Sequence, residues 1–188
     1  MTGLNWETTG TGIDYGCPGF DVRRDEVEFP DGTEGEYHYV DEPPTVVVLP
    51  FTPEGDVVVI EEWRQAVSRI NRGIPAGGVE PDEETDLERA AARELAEETG
   101  YEAGDFRRLT TVEPSNGLAN SVHHHYVATD CRPTAEQDLD DNESIRVDTV
   151  GYETLLAGVL DGDRRDGRTA TAVMCYELTR EGDPGAGR

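Results

Sequence analysis

Residues Gly77 to Tyr101 read GGVEPDEETDLERAAARELAEETGY. The stretch predicts a helix from near Glu84 to Thr99, stopped by Gly100, because glycine enters the left-handed conformation that ends many helices without strain. At about 100° per residue, Glu94, Glu97 and Glu98 fall within an arc of about 100°. Leu87, Ala90 and Ala91 lie on the same side, so three carboxylates share the small apolar face that should turn inward. Like charges at i, i+3 and i+4 repel, and a buried carboxylate needs a counter-charge. Multivalent cations supply it, and an all-oxygen ligand set suits Mg²⁺ or Mn²⁺. The competing reading, a solvated acidic face, stays open on these carboxylates alone.

Composition narrows the setting. The 188 residues suffice for one well-buried domain, with or without a small appendage. Net charge is −25, and all 16 basic residues are Arg. Such a surface repels nucleic acid and anionic membranes and offers no basic patch for either. Thr45–Leu49 and Val57–Ile60 are apolar enough to build a core, so the charge reads as adaptation to high salt, as in a halophile's cytoplasm, rather than as disorder. Cys17, Cys131 and Cys175 are odd in number and widely spaced. They read as free thiols in a reducing compartment, not as a disulfide framework or zinc site. No apolar run approaches a membrane span, and the N-terminus lacks the basic and apolar regions of a signal peptide; the expectation is a soluble cytoplasmic protein.

Along the chain, residues 1–16 are rich in Gly and Thr and are expected as a flexible tail, as are residues 181–188 at the other end. Within residues 17–43, Phe20–Phe29 and Tyr37–Val40 alternate as strands around the turn Pro30-Asp31-Gly32-Thr33, a small β-unit that must pack on something larger. The main domain is expected over residues 44–180. It starts with the strands Thr45–Leu49 and Val57–Ile60, followed by Glu61-Glu62-Trp63-Arg64-Gln65. After the helix, strands are predicted at Phe106–Glu113, Ser121–Thr129 and Ile145–Val150, with a turn at Pro114-Ser115-Asn116-Gly117 and the acidic loop Gln137–Glu143. His123, His124 and His125 cannot converge on one metal from a strand, since alternate side chains face opposite ways. A helical stripe follows at Tyr152, Leu155, Leu156 and Val159, and a last helix after Asp166-Gly167-Arg168-Thr169.

The string Arg93-Glu94-Leu95-Ala96-Glu97-Glu98-Thr99-Gly100-Tyr101 resembles the Nudix box, the strand-loop-helix signature of the Nudix hydrolases, and meets every fixed position of its second half. Gly77 and Glu83 fit the first interval, but nine residues, where the family has seven, separate Glu83 from Arg93. The extra pair should lengthen the loop before the helix and leaves Glu83 the uncertain member. Trp63-Arg64, Ile74-Pro75-Ala76-Gly77-Gly78, the acidic loop and the Asp-x-x-Thr opening of the last helix resemble the ADP-ribose pyrophosphatase branch. The resemblance implies an α/β Nudix fold, a mixed sheet sandwiched between helices with a small N-terminal β-unit, and a homodimer. It implies Mg²⁺, with Mn²⁺ as an alternative, on Glu94, Glu97, Glu98 and the Ala76 carbonyl. Arg93 would orient a glutamate, and Glu143 or Asp141 would act as base. Arg64, Trp63, Gly77 and Gly78 would bind substrate, although Arg64 reads equally as an ion-pair partner of nearby acids and Trp63 rather as core or interface. The implied reaction is hydrolysis of a nucleoside diphosphate-linked compound, ADP-ribose first. Nucleotide sugars, nucleoside triphosphates and a non-catalytic ligand-binding regulator are the alternatives.

Overall fold

The computed structural model describes residues 3–140 and 143–180. Asp141, one of the two candidate bases, and residues 181–188, expected as a tail, lie outside the described residues.

The chain divides into two compact units. One comprises the residues up to Pro44 together with Glu113–Val122. Its three-stranded antiparallel sheet has the order β1 (Glu7–Cys17), β2 (Phe20–Glu28), β3 (Glu34–Asp41). Most of the segment expected as a flexible tail is therefore β1, paired with β2 along its length. Its Gly and Thr give little local strand signal, and the ladder supplied by β2 decides the conformation. Glu113–Val122 joins this unit through backbone bonds between Val40 and both Leu118 and Asn120, and through the Tyr37 hydroxyl, which donates to the Gly117 carbonyl at 3.0 Å.

The second unit holds two sheets. In the first, β10 (Ile145–Gly151), β5 (Asp56–Arg64) and β6 (Arg69–Gly73) run antiparallel. The second has the order β7 (Ala76–Gly78), β4 (Thr45–Pro50), β9 (His123–Thr129), β8 (Asp105–Val112); it is mixed, because β4 and β9 are parallel. Strand β4 explains the layering. Its side chains alternate faces, and Val46 to Leu49 are all fully buried. Val46 and Val48 pack with Ala90, Ala91 and Leu95 of helix α1 (Leu87–Thr99). Val47 and Leu49 pack with Leu155 and Val159 of α2 (Tyr152–Leu160) and Ala172 and Val173 of α3 (Gly167–Arg180). A strand buried on both faces reads as one unbroken apolar run, as Thr45–Leu49 does.

Helix α1 begins at Leu87, three residues later than expected, because Asp86 caps it: its carboxylate accepts from the Arg89 N–H at 3.2 Å. The two extra residues are absorbed in the turns before that cap, where Glu83 N–H bonds the Glu80 carbonyl and Asp86 N–H that of Glu83. Gly100 ends the helix at φ 73°, in the left-handed region. His125 stands beside Val47, fully buried, and neither of its ring nitrogens has a hydrogen-bond partner among the described residues; burial holds its pKa down to about 4. Cys131 is buried in the α1 layer, where burial pushes its thiol up to about 12. Among the described residues no helix is long and apolar enough to cross a membrane.

Candidate active site

Arg93, at the middle of α1, is the centre of the site. A guanidinium has five N–H donors in a fixed fork, and here each has a partner. Nε and Nη2 grip the two oxygens of Glu83 at 3.0 and 2.8 Å, and Nη2 also reaches the Gly78 carbonyl at 2.8 Å. Nη1 donates to Glu94 Oε1 and to Glu97 Oε2, both at 2.8 Å. Glu83 is thus brought fully into the site despite the altered spacing. The turns before the cap place its carboxylate opposite Arg93, and the Arg93 bonds hold its pKa below the usual carboxylate range.

The other carboxylates differ. Glu98 is buried, and Oε2 accepts the Ala76 N–H at 3.0 Å. Burial pushes its pKa up to about 8 against that hydrogen bond, with the charges of Glu94 and Glu143 adding to the shift. Burial likewise raises Glu94 to about 7, opposed by Arg93. Glu97 is more open. Arg93 therefore serves Glu83, Glu94 and Glu97, with Arg89 Nε a further 3.9 Å from Glu83, while among the described residues Glu98 is hydrogen-bonded by the Ala76 N–H.

Gly77 is explained at atomic scale: a Cβ there would lie 2.1 Å from Glu94 Oε2, so any side chain would expel that carboxylate. The acids open on a cleft of about 250 Å³, whose walls include Gly77, Gly78, Arg93, Asp138 and Glu143. Two bonds absent from the sequence reading fix its far wall: the Gln137 side-chain amide donates to the Glu98 carbonyl at 2.7 Å, and Asp138 N–H to that of Glu97 at 3.0 Å. These carbonyls at the end of α1 lack partners within the helix, so the acidic loop supplies them. A Gln just ahead of an acidic run was the available signal. Glu143 Oε2 accepts from the Asp140 N–H at 3.2 Å.

A neighbouring groove of about 560 Å³ shares Leu139 and Glu143 with the cleft and is lined by Glu62, Trp63 and Ile70. Trp63 is 51% exposed and so is not core; its indole N–H donates to Gln65 Oε1 at 2.9 Å. Arg64 pairs with Glu62 at 2.8 Å and is not among the residues lining either space, which is the ion-pair reading of that residue. His124 approaches the Thr111 hydroxyl at 3.2 Å.

The donor set suits a hard divalent cation. Glu94, Glu97 and Glu98 present only oxygen, two of the three are buried with raised pKa values, and Arg93 alone cannot neutralise them. Among the described residues no three acidic, His or Cys side chains stand ready-arranged around one point, and Arg93 draws Glu94 and Glu97 to itself.

Comparison with known proteins agrees with this geometry. The NUDIX domain matches residues 41–170. The chain is 33% identical to the ADP-ribose pyrophosphatase of Bacillus subtilis (strain 168) over 159 residues, 84% of this chain and 85% of that protein. It is 30% identical to the methanol dehydrogenase activator of Bacillus methanolicus over 155 residues, 82% and 83% of the two chains. A crystal structure of an ADP compounds hydrolase superposes with a TM-score of 0.84 at 21% identity, covering 100% of both chains, which shows the shared fold. An arginine that ties the acids of one helix to the loop before it, in a domain matched over most of its length, makes this chain a member of the NUDIX family, a Nudix-type diphosphatase.

Proposed function

We propose that the protein hydrolyses the diphosphate of ADP-ribose, giving AMP and ribose 5-phosphate. The observation that carries the diphosphate chemistry is the surplus of carboxylate over cation around Arg93, with Glu98 buried against a single N–H. The choice of ADP-ribose rests on the Bacillus subtilis relative. The Bacillus methanolicus relative is a methanol dehydrogenase activator, so the leaving group is what the test below decides.

Glu94, Glu97 and Glu98, with the Ala76 carbonyl, would hold Mg²⁺ or Mn²⁺. When bound, the ion supplies Lewis acidity and positive charge for the diphosphate oxygens. The chain's own residues do the rest. Arg93 fixes Glu94 and Glu97 in one orientation and ties both to Glu83. Ala76 N–H fixes Glu98. Glu143, on the wall of the same cleft, accepts a proton from the attacking water as the oxygen bonds to phosphorus and the bridging P–O bond breaks. Gly77, Gly78, Trp63 and Arg64 are proposed to contact substrate, with Arg64 first leaving Glu62. The protein is further proposed to act as a homodimer in a high-salt cytoplasm. Leu4, Ile13 and Tyr15 of the β1–β3 unit are exposed apolar residues suited to a second copy.

The test is product release from ADP-ribose, nucleotide sugars and nucleoside triphosphates in high salt, with and without Mg²⁺. Mg²⁺-dependent AMP from ADP-ribose is the expected result. A different preferred compound would keep the diphosphate chemistry and remove ADP-ribose. No turnover from folded protein would make this a ligand-binding member of the family.

A further inference from the structure

We propose that Asp166 and Thr169, at the start of α3, are positioning residues of the acidic site; the inference rests on the functional reading above. Asp166 caps α3: Oδ1 accepts the Thr169 N–H at 2.8 Å and the Thr169 hydroxyl at 3.0 Å. A cap alone would need no more. Here the same hydroxyl, fully buried, accepts the Ile74 N–H at 3.1 Å. The second oxygen of Asp166 accepts the Asn71 side-chain amide at 3.1 Å. The close approach depends on Gly73, where a Cβ would lie 2.9 Å from the Thr169 hydroxyl.

The segment held in this way leads directly to the site. Val48 N–H bonds the Pro75 carbonyl at 2.9 Å, and Ala76 N–H bonds Glu98 at 3.0 Å. Residues 71–76 are thus a strap, held at one end by the β5 ladder and by α3 and at the other by β4 and Glu98, with the Thr169 hydroxyl bonding Ile74 just past the end of the β5 ladder. Without the Thr169 hydroxyl, the buried Ile74 N–H loses its acceptor and the strap can shift. Ala76 and the Glu98 carboxylate bonded to it would shift together. Site geometry tolerates displacements of only about 0.5 Å. Arg168, in the same turn, pairs with Asp166 at 3.3 Å and adds positive charge felt by Glu98.

Thr169→Val removes the hydroxyl at nearly constant shape, and Thr169→Ser retains it. Mn²⁺ binding to the substrate-free protein, kcat and KM for ADP-ribose, and hydrogen exchange of the Ala76 amide are measured for each. Outer partners of metal ligands are worth about 10–100-fold in affinity or activity. Thr169→Val is therefore expected to weaken Mn²⁺ about tenfold or more and to lower kcat with KM little changed. It should also speed exchange at Ala76, with Thr169→Ser near wild type. A Thr169→Val protein with a lower melting temperature but Mn²⁺ affinity, kcat and Ala76 exchange like wild type would overturn the proposal, leaving Thr169 a stabilising residue only. Should that variant fail to fold, Asn71→Ala removes the second side-chain bond to α3 at a part-exposed position. It should weaken Mn²⁺ in the same direction, and no change would count against the strap. If the wild type neither binds Mn²⁺ nor cleaves any diphosphate, the functional reading falls. The strap is then judged on Ala76 exchange alone, and exchange unchanged by Thr169→Val overturns it too.

Discussion

Two arginines in this protein each gather three carboxylates, in two different settings. In the β1–β3 unit, Arg24 reaches Asp14, Glu26 and Glu36 at 3.2, 3.1 and 3.3 Å from the exposed face of a sheet. On α1, Arg93 reaches Glu83, Glu94 and Glu97 at 2.8–3.0 Å with two of its partners buried. Around Arg24, water and salt screen every charge, so each contact is worth little. Around Arg93, Glu83 and Glu94 have been taken out of water; burial raises the Glu94 pKa and the Arg93 bonds lower that of Glu83. Identical chemistry is a solvated surface in one place and a partly buried charged cluster in the other.

The largest effect that can break this contrast is catalytic. Glu98→Gln keeps the shape and the Ala76 contact but removes the charge; kcat should fall about 1000-fold or more, the scale of a lost transition-state charge contact of about 4 kcal/mol, with the circular dichroism spectrum unchanged. Turnover like wild type would remove Glu98 from the metal set. Next is Arg93→Gln. Breaking one side of a buried ion network costs about 3 kcal/mol, read in urea unfolding, and added Mg²⁺ should restore part of it.

A smaller effect is the response to pH without metal. The folded pKa values of Glu98, about 8, and Glu94, about 7, lie above the ordinary carboxylate value, so the folded protein binds more protons than the unfolded chain. Their contribution therefore rises as pH falls from about 8.5 to about 6.5. Below that, His125, buried and neutral with its pKa near 4, works in the opposite direction, because the unfolded chain takes up the proton first. The melting temperature of the metal-free protein should climb between those two pH values, and Glu98→Gln should flatten the climb. Smallest is Arg24→Gln, expected to leave the melting temperature within measurement scatter in high salt; a clear loss would erase the contrast.

How much could be read from sequence follows the range of the interactions. Glu94 and Glu98 were legible as inward because helical periodicity is local, whereas Glu97, expected on the same face, lies more open at its edge; β4 was legible because a doubly buried strand leaves an unbroken apolar run. The Asp86 cap was missed, though its type is a usual start signal, because the acids ahead of it mimic helix. Glu83 was uncertain because its place depends on how a loop folds back, not on an interval. The assignment of β1, and of Glu113–Val122 to the β1–β3 unit, was hidden for the same reason. Their hydrogen bonds go to β2 and Val40, and nothing in ETTGTGIDYGC or EPSNGLANSV announces those partners. For Arg64 the sequence allows an ion pair or a substrate contact, and the structure shows the pair with Glu62.

Cys131 carries one further consequence. Only the thiolate reacts with alkylating reagents, and a buried thiol pushed up to about 12 has almost none of it at neutral pH. Its labelling must wait until the layer between α1 and the mixed sheet opens. The time course of iodoacetamide at that one cysteine, followed by peptide mass spectrometry, therefore acts as a built-in clock for the breathing of the helix that carries Arg93. Mg²⁺ should slow that clock.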